Sequence, residues 1–176
     1  PQLITRTYQA EDGCSNTAEC EQVITVDDQI APTIACPAGV TVSCSADVPA
    51  VDITSVTASD NCVGGVTVTH LGDSPSGTCP QLITRTYQAE DGCSNTAECE
   101  QVITVDDQIA PTIACPAGVT VSCSADVPAV DITSVTASDN CVGGVTVTHL
   151  GDSPSGTCPQ LITRTYQAED GCSNTA

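Results

Sequence analysis

The sequence predicts an all-β fold made of tandem antiparallel β-sandwich modules that are stapled by disulfides. Three observations support this prediction: an internal repeat without a mismatch, short strand-like runs separated by turn residues, and six cysteines in every repeat. Together they describe a string of small, similar domains rather than one large domain.

The internal repeat has a period of 79 residues. The segment PQLITRTYQAEDGCSNTA begins at Pro1, at Pro80 and at Pro159, and the residues between these copies are identical. Solenoid repeats are usually about 20 to 50 residues long, whereas a longer repeat suits a domain with a core of its own. Each repeat is therefore expected to fold as one module.

The predicted module boundaries follow from the segment that joins the copies. We expect the end of one module at residues 1–28, a complete module at 29–107, and a module lacking its last strand at 108–176. Strands for the partial modules would come from further residues of the chain or from a neighbouring subunit. The junction Val105–Pro111 has no Gly/Ser tract, and its proline stiffens the entry to the next module. This predicts a semi-rigid rod that rises roughly 35–40 Å per module.

Strand signals dominate each repeat. Short runs rich in Val, Ile and Thr alternate with clusters of Gly, Pro, Asp and Asn, and no stretch has sustained apolar spacing of the helical kind. The predicted strands are Thr33–Cys36, Gly39–Cys44, Val51–Thr57, Val66–Leu71, Gln81–Ala89 and Thr96–Val105.

The chain is strongly acidic. It has 22 Asp and Glu residues against three basic residues, and its net charge is −19. Nucleic acid and anionic membrane surfaces are therefore unsuitable partners, whereas divalent cations suit this charge. No apolar run is long enough to predict insertion into a membrane.

The six cysteines of one repeat are Cys36, Cys44, Cys62, Cys79, Cys93 and Cys99. An even number at this density predicts a disulfide framework and an extracellular, oxidising location. Phe, Trp and Met are absent, so the core is thin and each disulfide would add roughly 2–4 kcal/mol of stability. Zinc sites use closely spaced pairs such as Cys-x-x-Cys, which this sequence lacks.

Three segments carry a resemblance to a known family. The pattern Asp-x-x-x-Pro-x-Ile-x-Cys-Pro at Asp28–Pro37, the loop Thr57–Cys62 and the segment Arg85–Ala97 resemble a hyalin-repeat (HYR-like) immunoglobulin-type module. The whole repeat is similar to the cysteine-rich tandem forms found in very large bacterial surface proteins. This resemblance implies an immunoglobulin-like sandwich, an extracellular location, a role in adhesion and no catalytic residues.

Six cysteines allow fifteen connectivities, among which the sequence does not choose. The strand course of an immunoglobulin-like sandwich favours pairs on neighbouring strands or at the same end of the module. The expected pairs are Cys36–Cys99, Cys62–Cys93 and Cys44–Cys79, with Cys123–Cys158 and Cys141–Cys172 in the next repeat.

Acidic residues near the module junctions are candidate calcium ligands, because hard carboxylate oxygens that converge on a linker suit Ca²⁺. The alternative is a solvated acidic surface that keeps fibres soluble and apart. The candidate ligands are Asp27, Asp28, Asp60, Glu90, Asp91, Asp106, Asp107, Asp139, Glu169 and Asp170.

Catalysis is not expected. The run Gly72-Asp73-Ser74 does not continue into a Gly-x-Ser-x-Gly elbow, and a module of this size has little room for a cleft. Arg85 is expected to form a structural ion pair or to pack its stem beside Tyr87. Exposed Ser and Thr side chains are candidates for O-glycans.

The sequence therefore predicts a structural repeat of an extracellular fibre, stalk or adhesin that forms an elongated, semi-rigid filament. Its expected partners are further copies of the repeat along the chain and neighbouring fibre subunits. The alternative is a glycan- or receptor-binding adhesion module whose identical copies act by avidity. Apart from calcium and O-glycans, no cofactor is expected.

Overall fold

The computed structural model describes all 176 residues, and the protein is all-β. Its only helical elements are four 3₁₀ turns of three residues each, at Ser45–Asp47, Ile53–Ser55, Ser124–Asp126 and Ile132–Ser134. The strands are β1 (Gln2–Glu11), β2 (Thr17–Val26), β3 (Thr33–Ala35), β4 (Val40–Val42), β5 (Thr57–Ser59), β6 (Thr67–Ser76), β7 (Gln81–Glu90), β8 (Thr96–Val105), β9 (Thr112–Ala114), β10 (Thr136–Ser138), β11 (Thr146–Ser155) and β12 (Leu161–Glu169).

The strands form four two-stranded sheets and one sheet of four strands. The pairs are β1 with β2, β3 with β5, β9 with β10 and β11 with β12, and all four are antiparallel. The larger sheet has the order β4-β8-β7-β6, in which β4 runs parallel to the end of β8 with Val40 opposite Ile103. The all-β, antiparallel class is confirmed, whereas the arrangement of these sheets as immunoglobulin-like sandwiches stays a prediction.

The predicted strand bounds agree best at the end of the repeat. The expected Thr96–Val105 is β8 itself, and β7 is one residue longer than expected. The expected strand Val51–Thr57 was wrong, because the carboxylate of Asp52 accepts hydrogen bonds from the backbone N–H and the hydroxyl of Thr54 at 2.9 and 2.6 Å. These bonds curl the chain into a 3₁₀ turn, and the strand begins only afterwards at β5.

The strand expected at Val66–Leu71 extends further, because β6 continues to Ser76 through a segment that was expected to be a turn. In the next repeat the register of β11 shifts between His149 and Gly151, which marks a β-bulge. A bulge absorbs one residue and lets the strand continue with a bend.

Contacts divide the chain into two compact units. The first unit comprises Pro1–Ala38, Val51–Asp73 and Arg85–Gln101. The second unit comprises Gly39–Ala50, Ser74–Thr84 and Val102–Ala176, and so combines segments of two consecutive repeats.

The core of the first unit is centred on alternate residues of β7. The exposed fraction is 4% for Arg85, 1% for Tyr87 and 0% for Ala89, as expected when every second side chain of a strand faces the same side. Strand β1 has the same sequence as β7, yet all its residues are exposed. Burial in this protein therefore depends on the neighbours of a strand and not on its sequence alone.

The core of the second unit is small and aliphatic. Its fully buried side chains are Ile103 and Ala168, and Val135 and Cys44 are more than nine-tenths buried. A core of this size contributes little hydrophobic stabilisation, so covalent links carry more weight here.

Candidate functional site at the repeat junction

Two of the three disulfides join consecutive repeats. Cys44 bonds to Cys141 and Cys79 bonds to Cys172, with Cα–Cα distances of 5.2 and 5.3 Å. Their sequence separations of 97 and 93 residues exceed the repeat period, whereas the expected Cys36–Cys99 bond forms within one repeat over 63 residues. The wrong predictions were Cys44–Cys79, Cys62–Cys93, Cys123–Cys158 and Cys141–Cys172.

The parallel pairing of β4 explains why Cys44 bonds to a residue of the next repeat. Val42 lies opposite Val105 at the end of β8, and its carbonyl accepts a hydrogen bond from the backbone N–H of Asp106 at 2.9 Å. Cys44 comes two residues after Val42 and therefore lies where the next repeat begins. The predicted strand Gly39–Cys44 places Cys44 at the end of a strand, but an immunoglobulin-like sandwich predicts disulfides that close within one module.

A polar loop of the next repeat surrounds the Cys44–Cys141 bond. The side-chain amide of Asn140 donates to Sγ of Cys44 at 3.5 Å and to a carboxylate oxygen of Asp107 at 3.4 Å. Sγ of Cys141 lies 3.3 Å from the carbonyl oxygen of Ser43. No sequence pattern links Asn140 or Ser43 to this disulfide, and only their placement across the junction shows their role.

Seven cysteines are free thiols, and all are exposed. Among them are four that were expected in disulfides, Cys62, Cys93, Cys123 and Cys158. The other three are Cys14, Cys20 and Cys115.

Four of the ten expected calcium ligands come together in two equivalent clusters. Asp107 and Asp139 lie beside Cys141, and in the preceding repeat Asp28 and Asp60 lie beside Cys62, with the ligand atoms of each cluster within 4.8 Å of one another. One carboxylate oxygen of Asp60, and the equivalent oxygen of Asp139, is buried without a hydrogen-bond partner. Unpaired buried oxygens of this kind are typical of strain or of a bound cation or water.

The other six expected ligands lie outside these clusters. Asp91 instead closes the turn before β8, where it accepts hydrogen bonds from the backbone N–H groups of Cys93 and Asn95 at 2.8 and 2.9 Å. The side-chain amide of Asn95 also donates to it, and these bonds lower the pKa of Asp91. The residues outside the clusters are Asp27, Glu90, Asp91, Asp106, Glu169 and Asp170.

The Cys62 thiol is held in its protonated form. Its hydrogen bond with the Asp28 carboxylate, together with desolvation and the charges of Asp28 and Asp60, raises the pKa of Cys62 to about 11. Because the thiolate is the reactive form, Asp28→Asn is expected to speed alkylation of Cys62 by roughly tenfold at pH 8. Iodoacetamide labelling followed by mass spectrometry measures the alkylation rates of the free thiols. The slowest of these rates is expected to be that of Cys62 and should be absent from Cys62→Ser. An unchanged rate in Asp28→Asn would contradict this role of the carboxylate.

The expected ion pair of Arg85 forms inside the first unit. Nε and Nη2 of Arg85 donate to the two carboxylate oxygens of Asp73 at 2.9 and 2.8 Å, and Nε2 of His70 lies 2.9 Å from the same carboxylate. The His70 ring also contacts Tyr87, with ring centroids 5.6 Å apart. The contacts of Arg85, Asp73 and His70 are those of a structural ion pair beside the buried Tyr87.

This ion pair predicts an acid-sensitive contribution to stability. The hydrogen bonds from Arg85 and then from His70 lower the pKa of Asp73 to about 2, below its ordinary 3.8. A carboxyl group with a lowered pKa stabilises the folded state above its unfolded value and loses that effect as the pH falls. Asp73→Asn is therefore expected to cost about 2 kcal/mol at pH 7, and this difference from the native chain should shrink between pH 4 and pH 2. Thermal unfolding of both chains from pH 7 to pH 2 measures this difference in stability. Glu90→Gln, at an exposed position, serves as the control.

Comparisons with known proteins do not identify a family for this chain. No protein-family model matches the chain, and no curated protein matches it. The only helices are three-residue turns, and none has the length needed to cross a membrane. The chain therefore has an all-β fold in which disulfides tie one copy of a 79-residue repeat to the next.

Proposed function

We propose that this chain is a structural repeat of an extracellular fibre, stalk or adhesin, built from HYR-like immunoglobulin-like modules. The observation that carries the proposal is the pair of disulfides, Cys44–Cys141 and Cys79–Cys172, that join consecutive repeats. Disulfides persist in oxidising compartments, which supports a location outside the cytoplasm.

The proposed mechanical role follows from the number of covalent connections at each junction. Two disulfides, at Cys44 and Cys79, add to the peptide connection between consecutive repeats, and both lie inside the second compact unit. Tension along the chain therefore passes through three covalent connections there. The net charge of −19 keeps neighbouring filaments apart by electrostatic repulsion. Repeats of this kind suit a long, semi-rigid spacer.

Electron microscopy of native material would test this role. Threads of uniform width are expected under oxidising conditions, with increased bending after treatment with a disulfide-reducing phosphine. Discrete globular particles under both conditions would contradict the fibre. A glycan array separates the alternative, because a passive spacer binds no glycan, whereas an adhesion module does so with higher apparent affinity as repeats are added.

Calcium binding is a second proposal, favoured by the unpaired carboxylate oxygens of Asp60 and Asp139. Each cluster supplies two carboxylates, whereas calcium takes six to eight oxygens, so main-chain carbonyls and water would supply the others. Affinities of this type in extracellular modules lie near 10⁻⁴–10⁻³ M. We expect a few millimolar calcium to raise the thermal midpoint and Asp60→Asn with Asp139→Asn to remove this shift. Equal shifts in both chains would assign the effect to the acidic surface in general.

A further inference from the structure

Two loops with the sequence Val-Gly-Gly, at residues 63–65 and 142–144, are the most open apolar points of the chain. Val63 is fully exposed and Val142 is 92% exposed, the two largest values among the large hydrophobic side chains. Val142 directly follows Cys141, which is bonded to Cys44, so this loop stays open when the junction beside it is closed. Both loops are therefore accessible to another protein.

The backbone of these loops is as accessible as the valines. Residues 142–144 form no backbone hydrogen bond and lie between β10, which ends at Ser138, and β11, which begins at Thr146. Nothing packs within 4 Å of the position that a Cβ would occupy on Gly143. Loop tips of small residues without packing or hydrogen bonds are the preferred sites of proteolytic cleavage, because they open at little cost in free energy.

The valine at each loop tip selects the class of protease. Serine proteases choose a cleavage site by the side chain that enters the S1 pocket, and the elastase type has a small S1 pocket. Valine suits such a pocket, and the glycine that follows adds no bulk beyond the cleaved bond. Trypsin-type enzymes need a basic side chain, but the chain has no lysine and its three arginines lie within long strands, β1, β7 and β12.

A cut between Val142 and Gly143 breaks no strand pairing. Strands β9 and β10, which pair with each other, both lie before the cut. Strands β11 and β12, which also pair with each other, both lie after it. Each antiparallel ladder therefore keeps its two strands, and the cut removes only the peptide connection between the ladders.

The Cys79–Cys172 disulfide crosses this cut. Cys79 lies before Val142 and Cys172 lies after it, whereas both cysteines of each of the other two disulfides lie before it. Residues 143–176 would therefore stay attached through this one covalent bond. The side-chain amide of Asn174 adds a non-covalent contact across the cut, because it donates to the carbonyl oxygen of Asp107 at 2.9 Å.

Two disulfides cross the equivalent cut after Val63. One joins Cys36 to Cys99 and the other joins Cys44 to Cys141, so each has one cysteine on either side of the cut. Strand β4 also pairs with β8 across this cut. Because every disulfide of the chain crosses one of the two cuts, the three pieces that both cuts leave would still be one molecule.

We propose that the Val-Gly-Gly loops are cleavage sites for proteases of the elastase type, and that the chain remains one covalent molecule after it is cut there. In each cut, water adds across the amide between valine and glycine. The C–N bond breaks, the valine gains a carboxyl group and the glycine gains an amino group. The disulfides neither gain nor lose electrons in this step.

This inference adds a property to the proposed structural role. A protein outside the cell meets proteases, and a single cut in an ordinary connecting loop would divide a fibre. Here the disulfides would carry the connection past each cut, so that the fibre keeps its continuity. The consequence for a fibre rests on the proposed function, whereas the cleavage and the retention of the pieces do not.

Limited digestion of the oxidised full-length chain with pancreatic elastase tests both parts of the proposal. With the free thiols alkylated, intact mass in denaturant without a reductant should show one species that has gained one water for each cut. After reduction the same sample should show the pieces 1–63, 64–142 and 143–176. Val63→Asp with Val142→Asp should slow the digestion by roughly tenfold or more, because a small apolar pocket disfavours a charged side chain.

Cys79→Ser with Cys172→Ser tests the bond that crosses the second cut. This variant should release residues 143–176 in denaturant without a reductant, whereas Cys123→Ser with Cys158→Ser, the matched control at unbonded thiols, should retain them. If the first variant loses its β-type circular dichroism, the bond is mapped in the cut native chain. There the peptides that contain Cys79 and Cys172 should be recovered as one cross-linked species.

Release of residues 143–176 from the oxidised native chain would overturn the proposal, and so would first cuts at sites other than the two valines. Retention of these residues by Cys79→Ser with Cys172→Ser would also overturn it, because another bond would then hold them. Electron microscopy separates this result from the fibre. Threads that break after elastase treatment would reject the proposal and leave the fibre intact, whereas particles without threads would reject the fibre alone.

Discussion

Replacing Cys44 and Cys141 together by serine is expected to lower the free energy of unfolding by about 3–5 kcal/mol. The bond closes a loop of 97 residues, so its removal gives the unfolded chain a large increase in conformational freedom. In a chain of this length the thermal midpoint should fall by about 10 °C. Substituting both cysteines avoids a new free thiol, and calorimetry of the oxidised proteins measures the change.

Cys123→Ser is the matched control for this prediction. It changes the same residue in the next copy of the repeat, where the thiol is exposed and unbonded. Its effect should stay within about 0.5 kcal/mol. Under reducing conditions the double variant and the native chain should unfold at the same temperature. Equal midpoints under oxidising conditions would show that the bond between the repeats does not form.

Tyr87→Ala is the second large effect that we expect, with a loss of about 3–5 kcal/mol. Tyr87 is 1% exposed and is the largest fully buried side chain in the protein. Its removal deletes most of the aromatic surface from a core that is otherwise aliphatic, and leaves a cavity. Thermal unfolding followed by circular dichroism checks this value.

The repeat provides a control, because Tyr8 is flanked by the same residues as Tyr87. Tyr8 occupies the equivalent position in β1 and is 51% exposed, with one hydrogen bond from its hydroxyl to Gln22 at 3.1 Å. Tyr8→Ala should therefore cost less than about 1 kcal/mol. Similar losses for the two variants would mean that the burial of β7 does not govern stability.

Much of the fold was predictable from local patterns. Alternating Val, Ile and Thr residues predicted the long strands β7 and β8 nearly to the residue, and the scarcity of basic residues predicted a carboxylate partner for Arg85. The strand bounds after Cys44 were harder to predict. The hydrogen bonds that Asp52 accepts from Thr54, two residues later, compete with strand formation there. Of the candidate calcium ligands, only those next to the junction loops came together in clusters.

The sequence by itself determined the elements that depend on near neighbours: strand periodicity, turn residues, the repeat and the presence of a disulfide framework. Tertiary structure alone decided which cysteines pair and which copy of a strand is buried. The physical reason is that identical segments have identical local preferences, so they differ only through what packs against them. Tyr8 and Tyr87 show this for burial, and Cys44 shows it for bonding, because the parallel pairing of β4 brings its thiol to the next repeat rather than to its own.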